Sequence, residues 1–166
     1  MNELELVETL HRLRFLEGFE IAGVQQIASL ARLEDYPADT LLFREGETFT
    51  RIFLVVEGAV ALEMHVPDKG TRRIHTVGPG ELVGWSPVLG SSPMTASART
   101  LTPTHVVALG ASQMLVECYH DPRFGFAFMR QTAKALAERL NATRLKLLEV
   151  YGHQLPLVPS SHEGAD

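Results

Sequence analysis

Leu54-Val-Val-Glu-Gly-Ala-Val-Ala-Leu-Glu-Met-His-Val66 is the stretch that decides how this chain folds. From Ala59 onward the side chains alternate, with Val60, Leu62, Met64 and Val66 on one side and Ala59, Ala61, Glu63 and His65 on the other. A period of two belongs to a strand, whose successive side chains point to opposite faces. Glu57-Gly58, just before it, is turn chemistry. The same alternation runs from Thr40 to about Leu109, punctuated at Glu45-Gly46-Glu47, Pro67-Asp68-Lys69-Gly70, Gly78-Pro79-Gly80, Gly90-Ser91-Ser92-Pro93 and Thr102-Pro103. Seven or eight short strands fit between these turns, and no helix-length crossover separates them. That pattern predicts an antiparallel jelly roll, or double-stranded β-helix, over residues 33–110.

Helical periodicity flanks the roll. Leu4, Val7, Leu10, Leu13 and Leu16 recur every three residues, and Ile21, Val24, Ile27 and Leu30 continue the pattern around breaks at Gly18 and Gly23. Two short helices are expected within residues 1–32. After Gly110, Ala111 to His120 suits a short helix, and Asp121-Pro122 makes a capped start for a long one. Near its start Phe124, Phe126 and Phe128 are expected to pack on the roll. Farther along, Met129, Ala133, Leu136, Leu140, Thr143, Leu147 and Val150 follow a 4, 3, 4, 3, 4, 3 spacing, a heptad seam that favours a partner helix. The same stripe packed on the chain's own roll is the alternative. The C-terminal helices thus occupy residues 111–151, and residues 152–166, rich in Pro and Ser, read as a disordered tail on a single domain.

Composition narrows the function. A chain of 166 residues, 45% hydrophobic and 21% charged, suits one globular domain. At this length folding buries roughly two thirds of the unfolded surface, so neither disulfide nor structural metal is needed. Fifteen Lys and Arg against twenty Asp and Glu leave a net charge of −5, which does not attract a phosphate backbone. The longest apolar run, Ile52 to Val56, is far short of the ~20 residues of a membrane helix. An acidic start, Met1-Asn-Glu-Leu-Glu5, is unlike a signal peptide, and Cys118 has no second cysteine to pair with. A cytoplasmic protein with no membrane contact is expected.

Helices, an eight-strand roll and a long seam helix in that order resemble the effector domain of the CRP/FNR superfamily, the cyclic-nucleotide-binding domain. Residues 40–60, from Thr40-Leu-Leu-Phe-Arg-Glu-Gly-Glu-Thr48 to Leu54-Val-Val-Glu-Gly-Ala-Val60, resemble its strand and turn pattern, with Gly46 and Gly58 at its turn glycines. Leu145-Lys-Leu-Leu-Glu-Val-Tyr-Gly152 is similar to the segment before the hinge in catabolite-activator-type members. The likeness spans about residues 15–152.

In that family the ligand is held by a phosphate-binding cassette, where a Gly-Glu pair offers the Glu to the ribose and a later Arg-Ala or Arg-Ser neutralises the cyclic phosphate. The matching segment is 80–98. Aligned on Gly84 and on Thr95-Ala96, the ribose Glu falls on Trp85 and the phosphate Arg on Met94, so both charged groups are replaced. Glu81 is a weaker match for the Glu. Ser86 as N-cap, Pro87 in the first turn and Gly90 as stop suggest a one-turn helix whose amides would face an anion. Trp85 either plugs the pocket or offers its face to a planar ligand. The expected pocket is Val83, Gly84, Trp85, Ser86, Met94, Thr95 and Ala96, with Glu138 and Arg139 standing where the family's long helix meets the nucleobase.

The chain runs only fourteen residues past the hinge-like segment, so direct DNA binding through a helix-turn-helix is not expected. A cupin-like metal enzyme is the other class considered. His65 and His75 lie on neighbouring strands, but His11, His105, His120, His153 and His162 are scattered and no ligand set converges. Cys118 reads as a small buried side chain rather than a nucleophile. The sequence therefore points to a non-catalytic, cyclic-nucleotide-binding-like regulatory domain, homodimeric through about residues 123–150. Its ligand is either absent or a small anion other than cyclic AMP, and its effect passes through an unidentified protein partner. Weak residual binding of cyclic AMP or cyclic GMP is the alternative.

Overall fold

The computed structural model describes residues 3–90 and 93–156. Two helices open the chain, α1 (Glu3–His11) and α2 (Ile21–Leu30). Eight strands follow: β1 (Arg32–Tyr36), β2 (Leu41–Phe43), β3 (Arg51–Glu57), β4 (Val60–Val66), β5 (Gly70–Val77), β6 (Leu82–Val83), β7 (Ser97–Thr100) and β8 (Thr104–Gly110). Two more helices close it, α3 (Ala111–His120) and α4 (Pro122–Tyr151). The strands form two antiparallel four-stranded sheets, ordered β1-β8-β3-β6 and β2-β7-β4-β5. This is the expected roll.

The β3 sequence, Arg-Ile-Phe-Leu-Val-Val-Glu, does not alternate, because its sheet is covered on both faces. Ile52 and Leu54, with Leu82, Val107 and Leu109, pack against Leu10, Leu16, Val24, Ile27, Met114, Phe124 and Phe128 of the helices. Phe53 and Val55, with Val83, Val106 and Ala108, turn inward against Phe43, Val60, Leu62, Val77, Met94 and Ala98 of the roll interior. In the second sheet β4 alternates in sequence, although Ala61, on the face opposite Val60 and Leu62, is buried as well. Val60 and Leu62 are buried there, but beyond the irregular register at Leu62/Glu63 Met64 is exposed. The β4–β5 hairpin outruns the core, so its apolar side has nothing to bury against.

Gly58 links β3 to β4 at φ +95°, and a Cβ there would lie 2.6 Å from the Pro103 carbonyl and from Thr104 Oγ1. Gly125 serves a different end: a Cβ would lie 2.5 Å from the Cys118 carbonyl, so α4 can pack closely on α3. Asp121 caps α4 as expected, its Oδ1 accepting the Arg123 and Phe124 amides at 3.0 and 3.2 Å. Phe128 and Phe124 meet Phe15 and Phe19 edge-on, with ring centroids 5.8 and 6.0 Å apart. Phe126 does not join them. Two residues along a helix is a turn of about 200°, so it faces away from its neighbours and is 69% exposed.

The chain divides into two compact units, 1–135 and 136–166, within α4. In the first unit Met129 is half-buried against the helical core and Ala133 is exposed. In the second Leu136 is half-buried, Thr143 is exposed, and Leu140, Leu147 and Val150 are 52, 50 and 50% exposed. The region expected as a tail begins with a short 3₁₀ turn, Gly152–Gln154. Its remainder, 157–166, lies outside the described residues, as do Ser91 and Ser92.

Candidate functional site

The cassette-like segment leaves the doubly covered sheet at β6, where Val83 is fully buried in the roll. Gly84 then adopts φ +81°, and a Cβ on it would lie 3.2 Å from the Arg51 carbonyl and 3.4 Å from Phe43 Cε1. This left-handed residue breaks the strand alternation. Trp85 is consequently half-buried against the helical core rather than inside the roll.

Ser86–Leu89 form the expected short helix, of the 3₁₀ type, and Gly90 ends it at φ +71° with its amide on the Ser86 carbonyl. The Val88 amide donates to the Trp85 carbonyl at 3.0 Å, so the N-cap is Trp85 and Ser86 is the first helical residue. That corrects the expected Ser86 cap. Indole has no oxygen with which to cap, and Ser86 itself is buried.

Met94 fills the interior position. Its amide donates to the Glu47 carbonyl at 2.9 Å and its carbonyl accepts the Gly46 amide at 2.8 Å, which ties the cassette's return to the β2–β3 turn. The side chain is 5% exposed and lies in the cluster of Phe43, Phe53, Val83 and Ala98. Thr95 is exposed and Ala96 half-buried beside it. Of the expected pocket residues, Val83 and Met94 share the apolar cluster of the roll interior, whereas Trp85 packs on the helical cluster. Glu138, exposed, and Arg139, half-buried, belong to α4 in the second unit.

Glu81 is engaged locally, its Oε2 accepting the Gly78 amide at 2.8 Å across the turn. Of the cations near the segment, Arg99 alternates outward from Ala98 and pairs with Asp39 at 3.2 Å and Glu63 at 3.5 Å. Sequence reasoning missed Arg51. It shares the inner face of β3 with Phe53, its guanidinium stands 5.2 and 5.6 Å from the Phe53 and Phe49 ring centroids, and its Nη1 donates to Glu34 at 2.6 Å. Tyr36 donates its hydroxyl to the same carboxylate. Burial, then the bond to Glu34, raises the Tyr36 phenol above its ordinary value. The available signal was weak: one basic residue at the head of a strand whose next five residues are apolar.

The two histidines weighed as a metal pair do not face one another, since His65 registers with Thr71 and His75 with Leu62. Among the described residues no group of three or more His, Cys, Asp and Glu is placed to hold a metal ion. Cys118 is half-buried, and burial pushes its thiol pKa up, with Glu117 adding to the effect. No helix among the described residues is long and apolar enough to cross a membrane.

Residues 33–118 match the family model described as the cyclic nucleotide-binding domain. The chain belongs to that family. As a cyclic nucleotide-binding domain of the CRP/FNR superfamily it is 24% identical over 149 residues to the CRP-like cAMP-activated global transcriptional regulator of Mycobacterium tuberculosis. The match takes in 90% of this chain and 65% of that protein, so the chain spans just under two thirds of the relative's length. The fold is similar to a cyclic nucleotide-binding domain from Methylobacillus flagellatus, with a TM-score of 0.78 at 21% identity over 95% of this chain and 86% of that one. It is also similar to the catabolite activator protein of Thermus thermophilus, with a TM-score of 0.68 at 26% identity over 82% and 62% of the two chains.

Proposed function

We propose that this domain is a non-catalytic regulatory module that has lost the family's ordinary cyclic AMP site or retuned it to another small anion. In this reading it works in the cytoplasm as a homodimer through the α4 seam and signals by contact with a protein partner. Met94 carries the proposal: where the family resemblance places a phosphate-binding arginine, a thioether sits 5% exposed in an apolar cluster. A hydrogen bond to a charged group contributes about 1.5–3 kcal/mol. A phosphate buried with no counter-charge forfeits that and bears its desolvation besides. The half-exposed Leu140, Leu147 and Val150 support the seam.

Isothermal titration of the purified chain with cyclic AMP and cyclic GMP tests the loss. No saturable heat is expected. A Kd below ~100 µM, equivalent to more than about 5.5 kcal/mol of binding, would refute it. That outcome would favour the second reading, weak retained nucleotide binding. The second reading is supported by the surviving backbone turns at Gly84 and Gly90 and by the cAMP-activated relative.

A further inference from the structure

The seam on α4 carries an unusual rim. Its spacing assigns Ala133, Leu140 and Leu147 to heptad position a, and Met129, Leu136, Thr143 and Val150 to position d. The positions bordering such a seam are e and g, whose charges set partner choice and orientation. From residue 139 onward the g residues are Arg139 and Lys146 and the e residues are Arg144 and Tyr151. Every charged residue on that rim is a cation. Glu138 and Glu149 fall at f and c, on the far side of the helix from the seam. The chain as a whole carries a net charge of −5, but α4 is locally basic, with six Lys and Arg against two Glu, and its far rim shares that sign.

Two copies in a parallel pair would bring one like-charged pair together on each side and leave the other cation with no acidic partner. A g residue on one helix faces the e residue of the next heptad on the other, which sets Arg139 against Arg144 and Lys146 against Tyr151. An acidic partner helix would meet the same cations with opposite charge along the same apolar stripe. We infer that the far half of α4, residues 136–151, is built to dock an amphipathic helix of another protein with Glu or Asp along both edges of its apolar face. That helix displaces the second copy. The inference rests on the seam reading above and names the chemistry of the protein partner invoked there.

Three synthetic 21-residue helices serve as probes. One has Leu at a and d with Glu at e and g. The second exchanges the Glu for Lys. The third keeps the Glu but has Ser in place of Leu. Fluorescence anisotropy against the full chain, with light scattering on the same mixtures, reads affinity and stoichiometry together. The Glu-rimmed, Leu-seamed helix is expected to bind at least tenfold tighter than either control and to convert the dimer into a one-to-one complex. Its advantage should shrink several-fold as salt is raised from 50 to 500 mM, as screening shortens. In the triple variant Arg139→Glu, Arg144→Glu, Lys146→Glu the preference should pass to the Lys-rimmed helix.

Equal binding of the two Leu-seamed helices, or an undisturbed dimer, overturns the inference and leaves the homodimer standing. Equal binding of the Ser-seamed helix also overturns it, since attraction to any polyanion would then suffice. A chain that is monomeric alone but binds the Glu-rimmed helix keeps the inference and removes the homodimer instead.

Discussion

Met94 is the residue at which chemistry and packing meet. Replacing it with arginine restores the family's cation, but the structure sets that cation among Phe43, Phe53 and Val83. An unpaired buried charge destabilises by several kcal/mol, on the order of 3 here. Met94→Arg is therefore expected to unfold at a lower temperature than the wild type. Millimolar cyclic AMP should return part of the loss, because a phosphate would pair the charge. Thermal melts with and without nucleotide check this: a variant as stable as the wild type, or one whose melt ignores cyclic AMP, counts against the placement. At this scale the sequence gives the residue type at each position and says little about where the side chain points. A single left-handed Gly84 reverses the side on which Trp85 lies, and no spacing rule predicts that reversal. The Arg51, Glu34 and Tyr36 group was illegible for another reason. Glu34 and Tyr36 share one face of β1, but Arg51 reaches them from β3, seventeen residues along from Glu34, and no local period links the two strands.

Elements were more legible, because periodicity reports what each one buries. The start and stop of α3 and the Asp121 cap of α4 follow from local chemistry alone. The β3 strand is the instructive case, since its unbroken apolar run is the mark of a strand with a core on either side. Truncating the two faces separately should therefore be costly twice over. Phe53→Ala is expected to destabilise by about 3–5 kcal/mol and Leu54→Ala by about 2–5 kcal/mol. Met64→Ala, on the exposed end of β4, should stay within about 0.5 kcal/mol. Urea unfolding midpoints of the three variants decide it, and a mild Leu54→Ala would mean that the helical layer does not lean on this sheet. The Phe124, Phe126 and Phe128 triplet shows the opposite lesson. Three aromatics at alternate positions suggested one packing surface, but helical geometry gives them two.

For the molecule as a whole, the heptad spacing is legible as far as the sequence and ambiguous thereafter. The first seam position, Met129, packs on the domain's own core, whereas Leu140, Leu147 and Val150 remain half exposed. One stripe is thus packed at its start and half exposed farther along, a difference that a single sequence pattern does not show. Leu140→Lys adds a further cation at position a, beside Arg139 and Arg144. It is expected to halve the mass measured by light scattering at micromolar concentration while leaving the circular dichroism of the fold unchanged. A mass that does not move would refer self-association to some other surface.

The two-sided sheet has a bearing on how such a domain tolerates substitution. A substitution on β3 or β8 is felt by the helices on one face of the sheet and by the roll interior on the other. Met94 and Trp85 sit on connecting backbone, free of that double obligation. A change at either residue therefore disturbs one apolar cluster and leaves the other as it was.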